Sequence, residues 1–376
     1  MKEITPEKDL WGEPLDKEQG VWFQTFCTPD EVNRLLTPQT SSDYLLRLRA
    51  EYIADHVRLT RVFVHLRRYF GENWSLERFF STNAYDEYKT LLSPNNYEKC
   101  KSVTCGSIYD NNAEGLIFSS EYGLFSTYSR TLYYFSIYAT LALGLFSKDV
   151  PDHIRLNALR IACRIMLNSE SEDFIVDPRG VIPQEIQIVL DNLWKYQSIF
   201  ITGHELAHFI LGHVKEDDRE VKGLIKPHFK DDTDYRKING YRISQLQEFE
   251  ADLAALNLIE LSDNDYTPIY YGALNWFALL AIYEAVEDSI NPPFGYQTHP
   301  SAISRYTKIL NNARKPKNFD EKQYVETLPE AISFWRERMV EDVSLSIEKY
   351  EMYGSVYLDA PNTEWRGREL IDRVDY

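Results

Sequence analysis

Cysteine is scarce: only Cys27, Cys100, Cys105 and Cys163 occur in 376 residues. That is no disulfide framework, and Cys100 and Cys105 lack a second pair at zinc-ribbon spacing, so all four read as reduced thiols. Basic charge is also short, with 41 Lys and Arg against 58 Asp and Glu, a net charge of −17. A phosphate-binding face would have to gather its cations against that field, so no nucleic-acid partner is expected. The opening MKEITPEKDLWGEPLDKEQG has no apolar signal region and is too acidic for a transit peptide, which predicts a cytoplasmic location. Long apolar runs are limited to residues 131–147 and 266–283. Each sits at the short end of the roughly 17–25 residues that span a bilayer, and both carry polar or helix-perturbing residues (Ser136, Thr140; Pro268, Gly272, Asn275). They read as buried core helices, not membrane spans. No internal repeat, GxSxG elbow, P-loop or GxGxxG fingerprint is present.

What is there has globular proportions, 44% hydrophobic and 26% charged, in a chain long enough for two or three domains and an unstapled core. Residues 1–40 are polar and read as an extended arm or capped lead-in. Leu45, Leu48, Tyr52, Ile53, Val57, Val62 and Leu66 recur at helical spacing through residues 41–80. Residues 92–125 are rich in turn formers, with short strands expected around Leu116–Ser119. Helical patterns return over 127–147 and 152–168. The charge run and paired prolines of SESEDFIVDPRGVIP (169–183) mark the best internal boundary. A long helix is expected from Pro183 to about His213, with Glu185 in its first turn. The charged stretch 215–239 reads as a solvated loop with at most one short element, followed by helices from about 243 to 261, from 268 to 288, and from Ser301. RKPKNFDEK (314–322) is a break before one or two final helices.

The chemistry lies in ITGHELAHFILGHV, residues 201–214. His204 and His208 are four apart, so on a helix they differ by about 40° and project from one face, where two imidazoles can hold one zinc ion. Glu205 beside them is placed to take a proton from an activated water and pass it to a leaving group. His213 is five residues past His208, rotated by about 140° on a continuing helix, and is read as a helix-end residue and not a ligand. A catalytic zinc needs a third protein ligand. Downstream, QEFEADL (247–253) sets Glu248 and Asp252 one turn apart. Glu248 is the candidate third ligand, Asp252 the candidate acceptor for a ligand imidazole N–H. Glu250, about 200° from Glu248, should point elsewhere. The remaining histidines are read as structural or surface residues (His56, His65), a helix start (His153) and a charged-loop residue (His228).

HELAHFILGH followed by EFEAD resembles the gluzincin metallopeptidases, most closely the branch containing HtpX and the CAAX prenyl proteases. THPSAISRY (298–306) is similar to an element that lines the active site in that branch. By that resemblance, His299 and Arg305 would contact substrate or the tetrahedral oxyanion, with Tyr296 a weaker candidate donor. The resemblance covers residues 199–309 and implies a small sheet beside the HExxH helix, supplied by residues 92–125. Two soluble families are also similar, the ImmA/IrrE regulatory peptidases and the phage-exclusion Lit type, which hydrolyses one protein target. The expectation is a mainly α chain (α+β if the sheet forms) with a zincin-like peptidase core at 181–313, a helical region at 1–180 and a helical extension at 314–376. It would use Zn2+ and act on a protein or peptide substrate. The alternative class is a non-catalytic zinc-binding interaction protein, which would want a fourth protein ligand.

Overall fold

The computed structural model describes residues 17–80, 83–110, 114–144, 150–214, 219–225, 236–241, 243–292, 299–351 and 354–359. Among the described residues seven α-helices come first: α1 (Lys17–Phe26), α2 (Pro29–Leu36), α3 (Ser41–Asp55), α4 (Val57–Phe70), α5 (Leu76–Phe79), α6 (Asn83–Thr90) and α7 (Pro94–Cys100). Strands β1 (Thr104–Ile108), β2 (Gly115–Ser120) and β3 (Gly123–Ser129) follow, then α8 (Thr131–Leu143), α9 (Asp152–Met166) and α10 (Gln184–Leu211). A hairpin, β4 (Arg219–Ile225) and β5 (Arg236–Tyr241), separates α10 from α11 (Gln245–Asn257). The chain continues through α12 (Asp263–Ile290), α13 (Ala302–Asn312), α14 (Leu328–Leu345) and α15 (Glu348–Glu351). The chain is mainly helical, as its periodicity predicts.

The sheet has the order β1-β3-β2-β5-β4. β1 runs parallel to β3, β2 and β3 form a hairpin, and β5 joins β2 antiparallel through Phe118↔Gly240 and Ser119↔Asn239. A sheet from residues 92–125 is therefore present and extends to Ser129. The 215–239 stretch departs from its reading as a solvated loop, because two strands form there and extend the sheet. Their stabilisation comes from pairing with β2, about a hundred residues away, which no local pattern announces.

The sheet divides two cores. Leu116, Phe118 and Phe125 on one face join Phe23, Phe26, Leu46, Ile53, Phe63 and Phe80 of α1–α5. Alternation sends Ser126 and Tyr128 to the other face, where Ser126 Oγ bonds Tyr85 Oη at 3.1 Å and Tyr128 enters the larger core. The lead-in is thus partly structural: α2 carries a Thr28–Glu31 capping box, and Val32 and Leu35 are buried with Phe23 and Phe26 of α1.

The larger core is built on α8, α9, α10, α12 and α14. Helix α12 is the one described helix long and apolar enough to cross a membrane, yet 72% of its most apolar 18-residue window is buried inside the protein. Its apolar length is explained by core packing. The 169–183 segment, read as an internal boundary, carries a buried charge network in its 169–179 part. Arg179 is fully enclosed and meets Glu170 at 3.1 Å, Asp173 at 2.6 Å and Asp177 at 3.3 Å, and Arg58 of α4 reaches Asp173 at 3.1 Å. Its charges pair with one another, not with water.

Candidate metal centre

Helix α10 begins after Pro183 and ends where Gly212 turns left-handed (φ 73°). Every residue from Gln197 to His208 is buried, because α6, α11, α12 and the sheet all pack against this stretch. His204, Glu205 and His208 are therefore inside the protein. Helix α11 starts at a Ser244–Gln247 capping box, which places Glu248 in its first turn and Asp252 one turn on, both buried and facing α10.

The three candidate ligands converge. His204 Nε2 lies 3.2 Å from His208 Nε2 and 3.5 Å from Glu248 Oε2, and His208 Nε2 lies 3.7 Å from Glu248 Oε1. Ligand atoms about 2.0–2.2 Å from a tetrahedral ion stand about 3.3–3.6 Å from one another, so these spacings fit a zinc-sized cation. The donor set fits as well. Glu248 Oε2 is enclosed without a well-formed hydrogen bond, although His299 Nδ1 and Arg305 approach it at 3.1 and 3.4 Å. Among the described residues this is the one cluster of His, Cys, Asp or Glu able to hold a metal ion.

The outer partners set the tautomers. His204 Nδ1 is 2.9 Å from Asp252 Oδ1. A carboxylate can only accept, so Nδ1 carries the proton and Nε2 keeps its lone pair. On the other side, His213 Nε2 lies 3.1 Å from Glu250 Oε2 and His213 Nδ1 lies 3.0 Å from His208 Nδ1. With His213 donating to Glu250, its Nδ1 accepts from His208 Nδ1–H, and His208 Nε2 also keeps its lone pair. Both imidazoles thus aim lone pairs at the point Glu248 faces.

His213 is not a ligand, but the 140° rotation inferred for it fails. The helix stops at Leu211, and the Gly212 turn swings His213 back beneath His208, with His213 N–H donating to His208 O at 2.9 Å. Glu250 points away from the ligand atoms and supports them through His213. The signal was present in the sequence, since a glycine one residue before His213 is a common helix stop.

Burial and charge act unevenly here. Burial resists charge on His204, but its bonds to Asp252 and Glu248 prevail and raise its pKa to about 10. His208 is pushed well below the ordinary histidine value, by burial first and the neighbouring His204 charge second. Burial also opposes ionisation of Glu248 and Asp252, yet both are held below the usual carboxylate range, Glu248 by His204, His299 and Arg305, and Asp252 by Arg305 and His204. A proton on His204 and a cation at the three ligand atoms would each offset the same pair of carboxylates.

Glu205 is 8% exposed, and burial raises its pKa to about 7, with Glu248 and Glu114 adding to the rise and His204 and His299 opposing it. A cation at the ligand atoms would draw it down again. β2 presses on this carboxylate so closely that a methyl group on Gly115 would lie 1.9 Å from Glu205 Oε1.

Arg305 takes a supporting place. Its Nε and Nη2 donate to Asp252 at 2.7 and 2.6 Å, and it lies over the Phe277 ring, 4.6 Å from the centroid. This fork holds Asp252, which holds His204. His299 is half-exposed beside the cluster, with Nδ1 3.1 Å from Glu248 Oε2 and Nε2 3.8 Å from Glu114 Oε2. Glu114 and then Glu248 raise its pKa to about 9. Tyr296, Thr298 and His228 lie outside the described residues. His56 is buried, bonds Tyr52 O at 2.7 Å and stacks on the Tyr52 ring, which is a structural role. The chain as a whole matches no protein-family model, no curated protein and no solved structure.

Proposed function

We propose that the chain is a zinc-dependent peptidase that hydrolyses peptide bonds of a protein substrate. The observation that carries this reading is the convergence of two tautomer-fixed Nε2 lone pairs and the Glu248 carboxylate, with a buried acid, Glu205, on the next residue of the same helix. His204, His208 and Glu248 would hold the ion. When bound, it supplies Lewis acidity that brings a water's pKa to roughly 7 and polarises a carbonyl. The protein's own groups do the rest. Glu205 accepts a proton from the attacking water on its carboxylate and delivers it to the departing amide nitrogen. Asp252 keeps the His204 proton on Nδ1 through both steps, with Arg305 fixing Asp252. His299, whose pKa is raised by Glu114 and Glu248, faces the ligand carboxylate from the exposed side and is placed to meet a developing oxyanion. Three ligands leave one tetrahedral position free, which suits catalysis better than a closed structural site.

The test is paired. Wild type and Glu205→Gln are purified, and zinc per chain is measured by elemental analysis. Each is then expressed in cells, and the proteomes are compared for new protein termini. About one zinc in both, with new termini only for the wild type, supports the reading and names the substrate. No zinc in either removes it.

A further inference from the structure

Away from the metal centre, a cavity of about 370 Å³ opens between α3, α5 and β1. Ser42, Leu45, Arg49, Glu77, Phe80 and Thr104 line it. Arg49 is 3% exposed. Its Nε donates to Ser107 O at 2.9 Å, and its guanidinium lies over the Phe80 ring, 4.7 Å from the centroid. A methyl group on Gly106 would come within 2.4 Å of Nη2, so the group lies flat on the β1 backbone. This cation is fixed from three sides and still lacks a counter-ion. Nη2 is enclosed against β1 with no hydrogen-bond partner, and Glu77 acts on the group only from beyond contact distance. Glu77, the carboxylate in the cavity wall, is taken by the Arg34 fork at 2.8 and 3.0 Å. A buried, unpaired guanidinium is expensive to keep. Burial lowers the Arg49 pKa to about 9, with Glu77 and Tyr128 offsetting part of the effect.

We propose that this cavity binds a small organic carboxylate bearing a hydroxyl or ammonium group. The carboxylate neutralises Arg49, the carbon body lies against Leu45 and Phe80, and the donor turns to Glu77, whose oxygens each keep a free lone pair. Arg78 also lines the cavity, and the apolar wall of Leu45 and Phe80 beside Arg49 gives a carbon body a place to lie, which argues for an organic carboxylate over inorganic phosphate. The proposal stands apart from the peptidase reading and does not depend on a metal.

Thermal unfolding of the full chain in chloride buffer at matched ionic strength tests it. The probes are L-serine, lactate, acetate and inorganic phosphate, each at 10 mM. Serine or lactate should raise the wild-type Tm by about 2 °C or more, and acetate by less, since it leaves Glu77 unserved. Arg49→Gln should lose the shift. Ser42 is exposed at the cavity mouth, so Ser42→Tyr plugs the site without touching the core and decides the matter if Arg49→Gln does not fold. No shift with any carboxylate in the wild type, or an equal shift in Ser42→Tyr, overturns the site. A larger shift with phosphate than with serine or lactate overturns the carboxylate assignment.

Discussion

Substituting Gly115 by alanine isolates the role of Glu205 without touching a candidate metal ligand. The added methyl would sit 1.9 Å from Glu205 Oε1, 2.3 Å from Cδ and 2.9 Å from Cγ. A carbon and an oxygen pack no closer than about 3.2 Å, so the carboxylate must retreat by about 1.3 Å. A misplacement of about 1 Å at a reacting group costs on the order of 100-fold in rate, or about 2.7 kcal/mol of barrier. Zinc content should stay at the wild-type level, because His204, His208 and Glu248 keep their partners. The assay is turnover of whichever protein shows Glu205-dependent termini, read beside zinc per chain and Tm. In a Glu205→Ala background all three contacting atoms are gone, so the alanine at 115 should lower the Tm little further; this non-additivity is the signature of a direct clash. A Gly115→Ala protein that turns over at the wild-type rate, or one that loses its zinc, would refute the geometry.

Three further outcomes are expected. Asp252→Asn and His213→Leu each release one ligand imidazole from its fixed tautomer, and chelator competition should show zinc affinity about 10–100-fold weaker, against no change for substitution of the exposed Lys101. Glu172 accepts from Thr131 Oγ1 at 2.5 Å, its Oε2 is enclosed without a partner, and burial raises its pKa to about 7. The folded state therefore binds this proton more tightly than the unfolded state, whose value is about 4.5, so the group's contribution is full at low pH and is lost as pH rises from about 4.5 through 7, by about 3 kcal/mol in all. Glu172→Gln should melt higher than wild type at pH 8 and near it at pH 5, and parallel melting curves across that range would sink the assignment. Arg179→Met leaves Glu170, Asp173 and Asp177 facing one another in the interior and should cost about 3–5 kcal/mol in denaturant unfolding; a loss under 1 kcal/mol would mean that water reaches the cluster.

The legible parts of this protein were the local ones. His204 with His208, and Glu248 with Asp252, are pairs one helical turn apart, and spacing alone brings each pair to one face. The long α10 followed from Pro183 and its apolar stripe. What escaped depends on contacts distant in sequence or on where an element stops. His213 was misplaced because its position was computed on a helix that Gly212 ends. Residues 169–183 read as a boundary because they hold a charge run and two prolines, while the mutual pairing of Glu170, Asp173, Asp177 and Arg179 is visible only in three dimensions. The β4–β5 hairpin is polar, and β2 lies far upstream. The Arg305 guanidinium was assigned toward substrate by resemblance; its two bonds to Asp252 place it behind the ligands.

The order of assembly along the chain has a consequence during synthesis. Residues 354–358 close over the buried 164–179 network: Leu358 N donates to Arg179 O at 2.7 Å, Val356 N to Glu170 Oε2 at 3.2 Å and Tyr357 Oη to Asp177 Oδ2 at 2.9 Å. A ribosome holds back roughly the last few tens of residues it has joined, and translation proceeds at about 5–20 residues per second. His204 and His208 therefore emerge seconds before Glu248 and Asp252, and the segment that seals Arg179 emerges later still. A nascent or prematurely ended chain would display the HExxH helix without its third ligand and with three carboxylates open to water.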